Sequence, residues 1–322
     1  MFAVLLQHEN ERCGSVCCVC LFVGDNIYTV KILVTADTHL LKATERKTLE
    51  LLRQWVVDQR PDCLVVAGDL SSAAHAEHTL EQFRASFPSG PIVVCLGNHD
   101  FWLHDVVRSQ FHSLEQVIEH FWIPAAKRFD VTLLDVQSWA SNDLTIVGGY
   151  GHYDLGFAVP DLAYEGVQVA HQDYLAGHPR VGTALRWRDN QFMPAALDIQ
   201  ALAAKQVNDL RQRLEAAKDS RVLAVLHTAP FEDLLGIVKL ADRPPLDPPS
   251  EYAFFRAYLG NRAMGDLLLQ FRQQLVGVVC GHTHRAAGPL DVGGVTGINI
   301  GSDYGDLKGA LYFSDTGQFE RL

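Results

Sequence analysis

The 322-residue sequence has no run of Lys or Arg reaching even four residues, and its net charge is −11. Nucleic-acid binders generally carry a basic face or stripe, so this absence argues against nonspecific binding of DNA or RNA. Long apolar runs are missing as well. Stretches such as VCCVCLFV at 16–23 fall far short of the roughly 20 residues a membrane-spanning helix needs. FAVLL near the start is interrupted at once by His8, Glu9, Asn10, Glu11 and Arg12, and no signal-peptide pattern follows. The expected location is the cytoplasm, with no membrane contact. Paired C-x-x-C units of the kind that hold zinc are absent too. Cys13, Cys17, Cys18 and Cys20 crowd into eight positions and read as reduced thiols in a strand or an extension. Cys63, Cys95 and Cys280 lie in apolar runs and read as small buried hydrophobes.

What is present is a strong apolar grammar. Hydrophobic residues make up 48% of the chain and charged ones 20%, ample for the core of one large domain or two modest ones. No repeat, low-complexity tract or linker divides it. Five segments share one form: VKILVTADTH (30–39), DCLVVAGD (62–69), PIVVCLGNHD (91–100), RVLAVLH (221–227) and LVGVVCGHTH (275–284). Each is a β-branched-rich run, the mark of a strand buried on both faces, and each stops at Asp, Asn or His. Between the first three, Leu49, Leu52 and Val56, and then Leu80, Phe83 and Phe87, recur at helical spacing. Strand and helix alternate in the manner of βαβ units, whose parallel strands bring their carboxyl ends to one sheet edge. Residues 105–122 and 196–217 read as helices, 243–252 as a proline loop, and the short runs after 285 as strands of a second sheet packed on the first.

The strand-end residues are Asp37, His39, Asp69, Asn98, His99, Asp100, His227, His282 and His284. Asp37 and His39, like His282 and His284, are two apart, so in extended backbone each pair points one way. Carboxylate, amide oxygen and imidazole without thiolate suit manganese, iron(II) or zinc. The set is too large for one ion but fits two, with a carboxylate shared between them, as in centres that clamp both oxygens of a phosphoryl displacement. Neighbouring features carry less. GGYGHYD (148–154) reads either as a surface turn or as a segment presenting Tyr150, His152 or Tyr153 to a substrate, and nothing in the sequence elevates Trp187.

These blocks resemble the calcineurin-like metallophosphoesterase superfamily, whose pattern is D-x-H, G-D, G-N-H-[D/E], a lone His after a strand, and G-H-x-H. Here they stand in that order as Asp37-Thr38-His39, Gly68-Asp69, Gly97-Asn98-His99-Asp100, His227 and Gly281-His282-Thr283-His284. The resemblance implies an α/β fold, a four-layer α-β-β-α sandwich of two mixed sheets flanked by helices, with the site at the strand carboxyl ends. It implies a hydrolase of a small phosphoester that uses a hydroxide shared by two divalent metal ions. Asp37, His39 and His284 would hold one ion, Asn98, His227 and His282 the other, and Asp69 would bridge them. His99 would protonate the departing oxygen and Asp100 would orient His99. The expected activity is that of a phosphodiesterase or phosphatase on a small-molecule or nucleotide substrate. A nuclease of the same superfamily and a catalytically silent metal-binding scaffold are the rival readings. LSSAA after Asp69 lacks the Asp-Arg-Gly continuation of protein phosphatases. The expected catalytic domain spans 30–322, with 1–29 an extension that is either dispensable or an added strand. The sequence carries no sign of an oligomeric state.

Overall fold

The structure, a computed structural model, describes residues 29–40, 43–103, 105–181, 186–194, 197–239 and 251–322. Strand and helix alternate from the start: β1 (Lys31–Thr35), α1 (Glu45–Gln59), β2 (Cys63–Ala67), α2 (Ala76–Ser86), β3 (Ile92–Cys95) and, after a helical excursion, β4 (Val131–Leu133). Strands β5 (Trp139–Ser141) and β6 (Leu144–Gly149) follow, then a separate ribbon of β7 (Ala163–Tyr164) and β8 (Val167–Gln168). Helix α3 (Ile199–Ala216) leads into β9 (Arg221–Leu226), and α4 (Arg262–Gln270) into β10 (Leu275–Cys280). The chain closes with β11 (Ala287–Asp291), β12 (Thr296–Asn299), β13 (Gly309–Phe313) and β14 (Gln318–Arg321).

Two six-stranded sheets result, in the orders β14-β13-β1-β2-β3-β4 and β11-β12-β10-β9-β6-β5. In the first, β1 to β4 are parallel and β13 is antiparallel to both its neighbours. In the second, β6, β9, β10 and β12 are parallel and the edges β5 and β11 are antiparallel.

Alternation along the strands builds the layers. Ile32, Val34, Val65 and Val93 meet Ile146, Leu223, Val225 and Val279 between the sheets. Leu33, Leu64, Val66 and Val94 face the other way, onto Leu49 and Leu52 of α1 and Leu80 and Phe83 of α2. On the far side Val222, Ala224 and Val278 pack against Leu210 and Leu214 of α3 and Leu267 and Leu268 of α4. Both faces of each central strand are therefore buried, which is why the runs are apolar without a polar period. This is the expected four-layer α-β-β-α arrangement. Cys63, Cys95 and Cys280 are buried in it with free thiols, and burial pushes the Cys63 thiol up to about 12.

The stretch 105–122 departs from the single helix its pattern predicts. A short helix Asp105–Arg108 ends, and Leu114–Val117 begins anew where the Ser113 hydroxyl accepts from Gln116 N. That helix passes through a π-helical turn, Ile118–Trp122, into Ile123–Phe129. Phe111, in the break, is buried. Trp122, in the turn, is buried too and donates from Nε1 to the Asp100 carbonyl (3.0 Å), tying this layer to the third motif. The expectations for residues 1–28 and for the proline loop at 243–250 lie outside the described residues. Among the described residues no helix is long and apolar enough to cross a membrane.

Candidate metal centre

The motif residues sit just past the carboxyl ends of parallel strands, on loops or, for Asn98 and His99, on the 3₁₀ turn Asn98–Phe101. Asp37 and His39 follow β1, Asp69 follows β2, Asn98 and His99 follow β3, His227 follows β9, and His282 and His284 follow β10. The loops are laced together by their backbones: Asp37 N donates to Gly68 O, His39 N to Asp69 O and Gly281 N to His227 O, each at 2.9 Å. The two i, i+2 pairs do not converge through extended backbone as the spacing suggests. Asp37, His39, Asp69, His282 and His284 all take positive φ, between 38° and 70°. Side chains disfavour that region, at about 1–3 kcal/mol each, and the surrounding bonds hold five such bends at one edge.

Those bends bring two groups of donors together, Asp37, His39, Asp69 and His284 in one and Asp69, His227 and His282 in the other. Asp69 belongs to both. Its Oδ2 lies 3.6 Å from His39 Nε2, and its Oδ1 lies 3.3 Å from His227 Nε2. Asn98 Oδ1 completes the second group, 3.1 Å from His227 Nε2 and 3.0 Å from His282 Nδ1. His284 Nε2 closes the first, 3.3 Å from His39 Nε2 and 3.9 Å from Asp37 Oδ1. Asp37, His39, Asp69, Asn98, His227 and His282 are buried, whereas the side chains of His284 and His99 keep 21% and 19% of their surface and mark the open side.

The motif glycines have a steric cause. A Cβ on Gly97 would stand 2.3 Å from Asp69 Oδ1 and 2.7 Å from His227 Nε2, and one on Gly281 would stand 2.4 Å from Asp37 Oδ2. Both cradles stay open because these two positions carry no side chain. Electrostatics agree with an ion-binding role. Burial lifts Asp37 to about 6, beyond what His227 and His284 recover. Burial would lift Asp69 too, but His227, His99 and His39 more than offset it and hold the carboxyl well below its usual range. Burial presses His39 and His282 down to about 3, leaving them neutral, the form in which an imidazole donates a lone pair. For His227 burial is outweighed by Asp69 and Asp37, which raise it to about 9. Oxygen and nitrogen donors without thiolate, the neutral imidazoles of His39 and His282 and open cradles fit a pair of divalent ions, whose charge would stand where the His227 proton does.

Outer partners fix the inner groups. His227 Nδ1 pairs with Ala67 O (3.0 Å), His282 Nε2 with Tyr258 O (2.9 Å) and His284 Nδ1 with Asp303 Oδ1 (2.8 Å). His99 donates from its backbone to Asp69 Oδ1 (2.9 Å) and stacks its ring on Trp102 at 3.7 Å. Tyr304 stacks on His39 at 4.2 Å and sets its hydroxyl 3.5 Å from His99 Nε2. Sequence reasoning missed Asp303 and Tyr304, whose link to the site runs through space after β12. Asp100 differs from its expected role. Its carboxylate accepts from Leu70 N (3.1 Å), Ser71 N (2.9 Å) and Gly97 N (2.8 Å), so it locks two motif loops together instead of orienting the His99 ring. GGYGHYD is no surface turn: Tyr150, His152 and Tyr153 are buried, the Tyr150 ring 6.1 Å from that of His227.

The family model for calcineurin-like phosphoesterases matches residues 30–286. The chain belongs to the calcineurin-like phosphoesterase family. This family depends on a binuclear metal centre, and the two Asp/His groups above are those that could hold one. A dimetal phosphatase from Danio rerio is similar in structure at 15% identity, with 88% of this chain and 95% of that one covered and a TM-score of 0.51. TT1561 of Thermus thermophilus matches at 12% identity over 91% of this chain and 98% of its own, with a TM-score of 0.49. No curated protein sequence matches this phosphoesterase. At 15% identity the likeness to the Danio rerio protein speaks for the fold alone.

Proposed function

We propose that this phosphoesterase hydrolyses a small-molecule or nucleotide phosphoester at a dinuclear centre of manganese, iron or zinc. Asp37, His39, Asp69 and His284 would hold one ion, and Asp69, Asn98, His227 and His282 the other. The observation that carries this reading is Asp69, a buried carboxylate with one oxygen turned to each donor group. When bound, the two ions supply Lewis-acid stabilisation of phosphoryl oxygens and activation of water at neutral pH.

The remaining work falls to the chain's own residues. His99 lies on the open side, near enough to the centre to hold a proton at Nε2 and pass it to the departing oxygen. Trp102 under its ring and the Tyr304 hydroxyl at Nε2 limit how that imidazole can turn. Asp303 fixes the ring of His284 through Nδ1 and so aims Nε2 inward. Asp100 holds the loops that carry Asp69 and Asn98 in register. With a net charge of −11 and no Lys/Arg run of four residues, the chain would depend on its site for attraction to phosphate, and this favours small esters over nucleic acid.

The test is hydrolysis of bis-p-nitrophenyl phosphate and p-nitrophenyl phosphate by manganese-loaded protein. Turnover of either supports the hydrolase, and the ratio of the two rates assigns diester or monoester preference. Manganese-loaded protein inert towards both, and towards a panel of nucleotide and metabolite phosphoesters, would leave a metal-binding scaffold.

A further inference from the structure

Asp189 opens the short helix Asp189–Phe192, far in sequence from any motif, and is 2% exposed. Its carboxylate accepts three side-chain N–H groups. Oδ1 takes Asn98 Nδ2 at 3.1 Å and Trp102 Nε1 at 2.8 Å, and Oδ2 takes Trp187 Nε1 at 3.1 Å. Among the described residues no Lys or Arg pairs with it. A buried carboxylate without a cation is costly, so its three partners merit a functional reading.

Each partner leads back to the centre. An amide presents oxygen on one side and nitrogen on the other, with nearly the same shape. A carboxylate only accepts, so it turns Asn98 Nδ2 towards itself. Asn98 Oδ1 is thereby aimed at His227 Nε2 and His282 Nδ1. Trp102, held by the same oxygen, is the plate on which His99 stacks. Trp187 stacks on Tyr258 at 4.7 Å, and the Tyr258 carbonyl pairs with His282 Nε2.

We infer that Asp189 is a positioning residue for the second ion of the centre, acting by fixing the amide of Asn98 with its oxygen inward. This rests on the dinuclear reading above. It reaches beyond the motifs, to a residue that none of the five blocks contains. The same carboxylate sets the platform of His99, so one buried group governs both working side chains of GNHD.

The experiment is a calorimetric titration of chelator-treated full-length protein with manganese. Wild type should bind two ions. Asp189→Ala should weaken one of them about 10- to 100-fold, the usual loss when an outer partner of a ligand is removed, and leave the other within about twofold. In an Asn98→Ala background the same substitution should add less than about twofold, because residues acting through one another are not additive. If Asp189→Ala does not give a cooperative melting transition, Asp189→Leu, closer in volume but with no acceptor for Asn98 Nδ2, replaces it, and the same ion should weaken. Wild-type affinity for both ions in whichever variant folds, equal weakening of both, or an additive loss in the double variant would overturn the role of Asp189. Fewer than two ions in wild type would overturn the dinuclear reading, and this inference with it.

Discussion

Asn98 and His99 are neighbours in sequence whose side chains part company. Asn98 Oδ1 faces two imidazoles in the buried half of the centre, whereas His99 lies on Trp102 at its mouth. Asn98→Ala is therefore expected to lose one ion, with partial rescue by excess manganese. His99→Ala is expected to retain both ions and to lose about 10²–10⁴-fold on esters with alkyl or ribose leaving groups, the range for a missing general acid. It should lose little on p-nitrophenyl esters, whose leaving group departs unprotonated. Paired metal analysis and kinetics check both, and equal losses on good and poor leaving groups would instead make His99 a binder of phosphate. All seven candidate ligands were legible in the sequence, because each ends an apolar run. Asp189, Asp303 and Tyr304 were not, since they reach the site through folding and carry no motif of their own.

At the scale of elements, the strands were legible and their endings were not. The β-branched runs announce buried parallel strands, but the pairs Asp37/His39 and His282/His284 meet through left-handed bends, a conformation uncommon for any non-glycine residue even though Asp and His are enriched in it. The break in the helix over 105–122 had a visible sign, since Ser113-Leu-Glu-Gln116 matches a capping box, but the helical apolar spacing continues through it and hid the break. Asp100 belongs at this scale, as a clamp between the loops after β2 and β3. Asp100→Ala strands three buried N–H groups, and leaving even one such donor unpaired costs about 1–3 kcal/mol. A loss of more than about 2 kcal/mol in denaturant unfolding is expected for the metal-free protein, with Asp100→Asn intermediate. Wild-type stability in the alanine variant would contradict the clamp.

For the molecule as a whole, His152 makes stability depend on acidity. Its side chain is fully buried, its Nδ1 pairs with the Tyr150 hydroxyl (2.9 Å), and burial presses it from an ordinary value of 6.5 down to about 3. Between those values the unfolded chain binds a proton that the folded one refuses. Stability therefore falls as pH drops through 6.5 towards 3, by up to about 1.4 kcal/mol per pH unit. In metal-free protein His152→Asn should remove that part of the slope between pH 7 and 5, and an unchanged slope would refute it. The first sheet forms around β1 with neighbours β13 and β2. We accordingly propose that a chain begun at Val30 folds and hydrolyses normally; insoluble or inactive protein would make the extension a structural part.

The central claim is that hydrolysis depends on metal held in the two groups joined by Asp69. Its most direct test is the rate on bis-p-nitrophenyl phosphate or p-nitrophenyl phosphate, whichever is turned over, plotted against measured metal content. Metal would be removed by chelation and manganese then restored stepwise. The expected result is a rate that vanishes in the stripped protein, returns with the second equivalent of manganese and fails to return in Asp69→Asn. Full turnover in protein shown to contain no metal would contradict the claim.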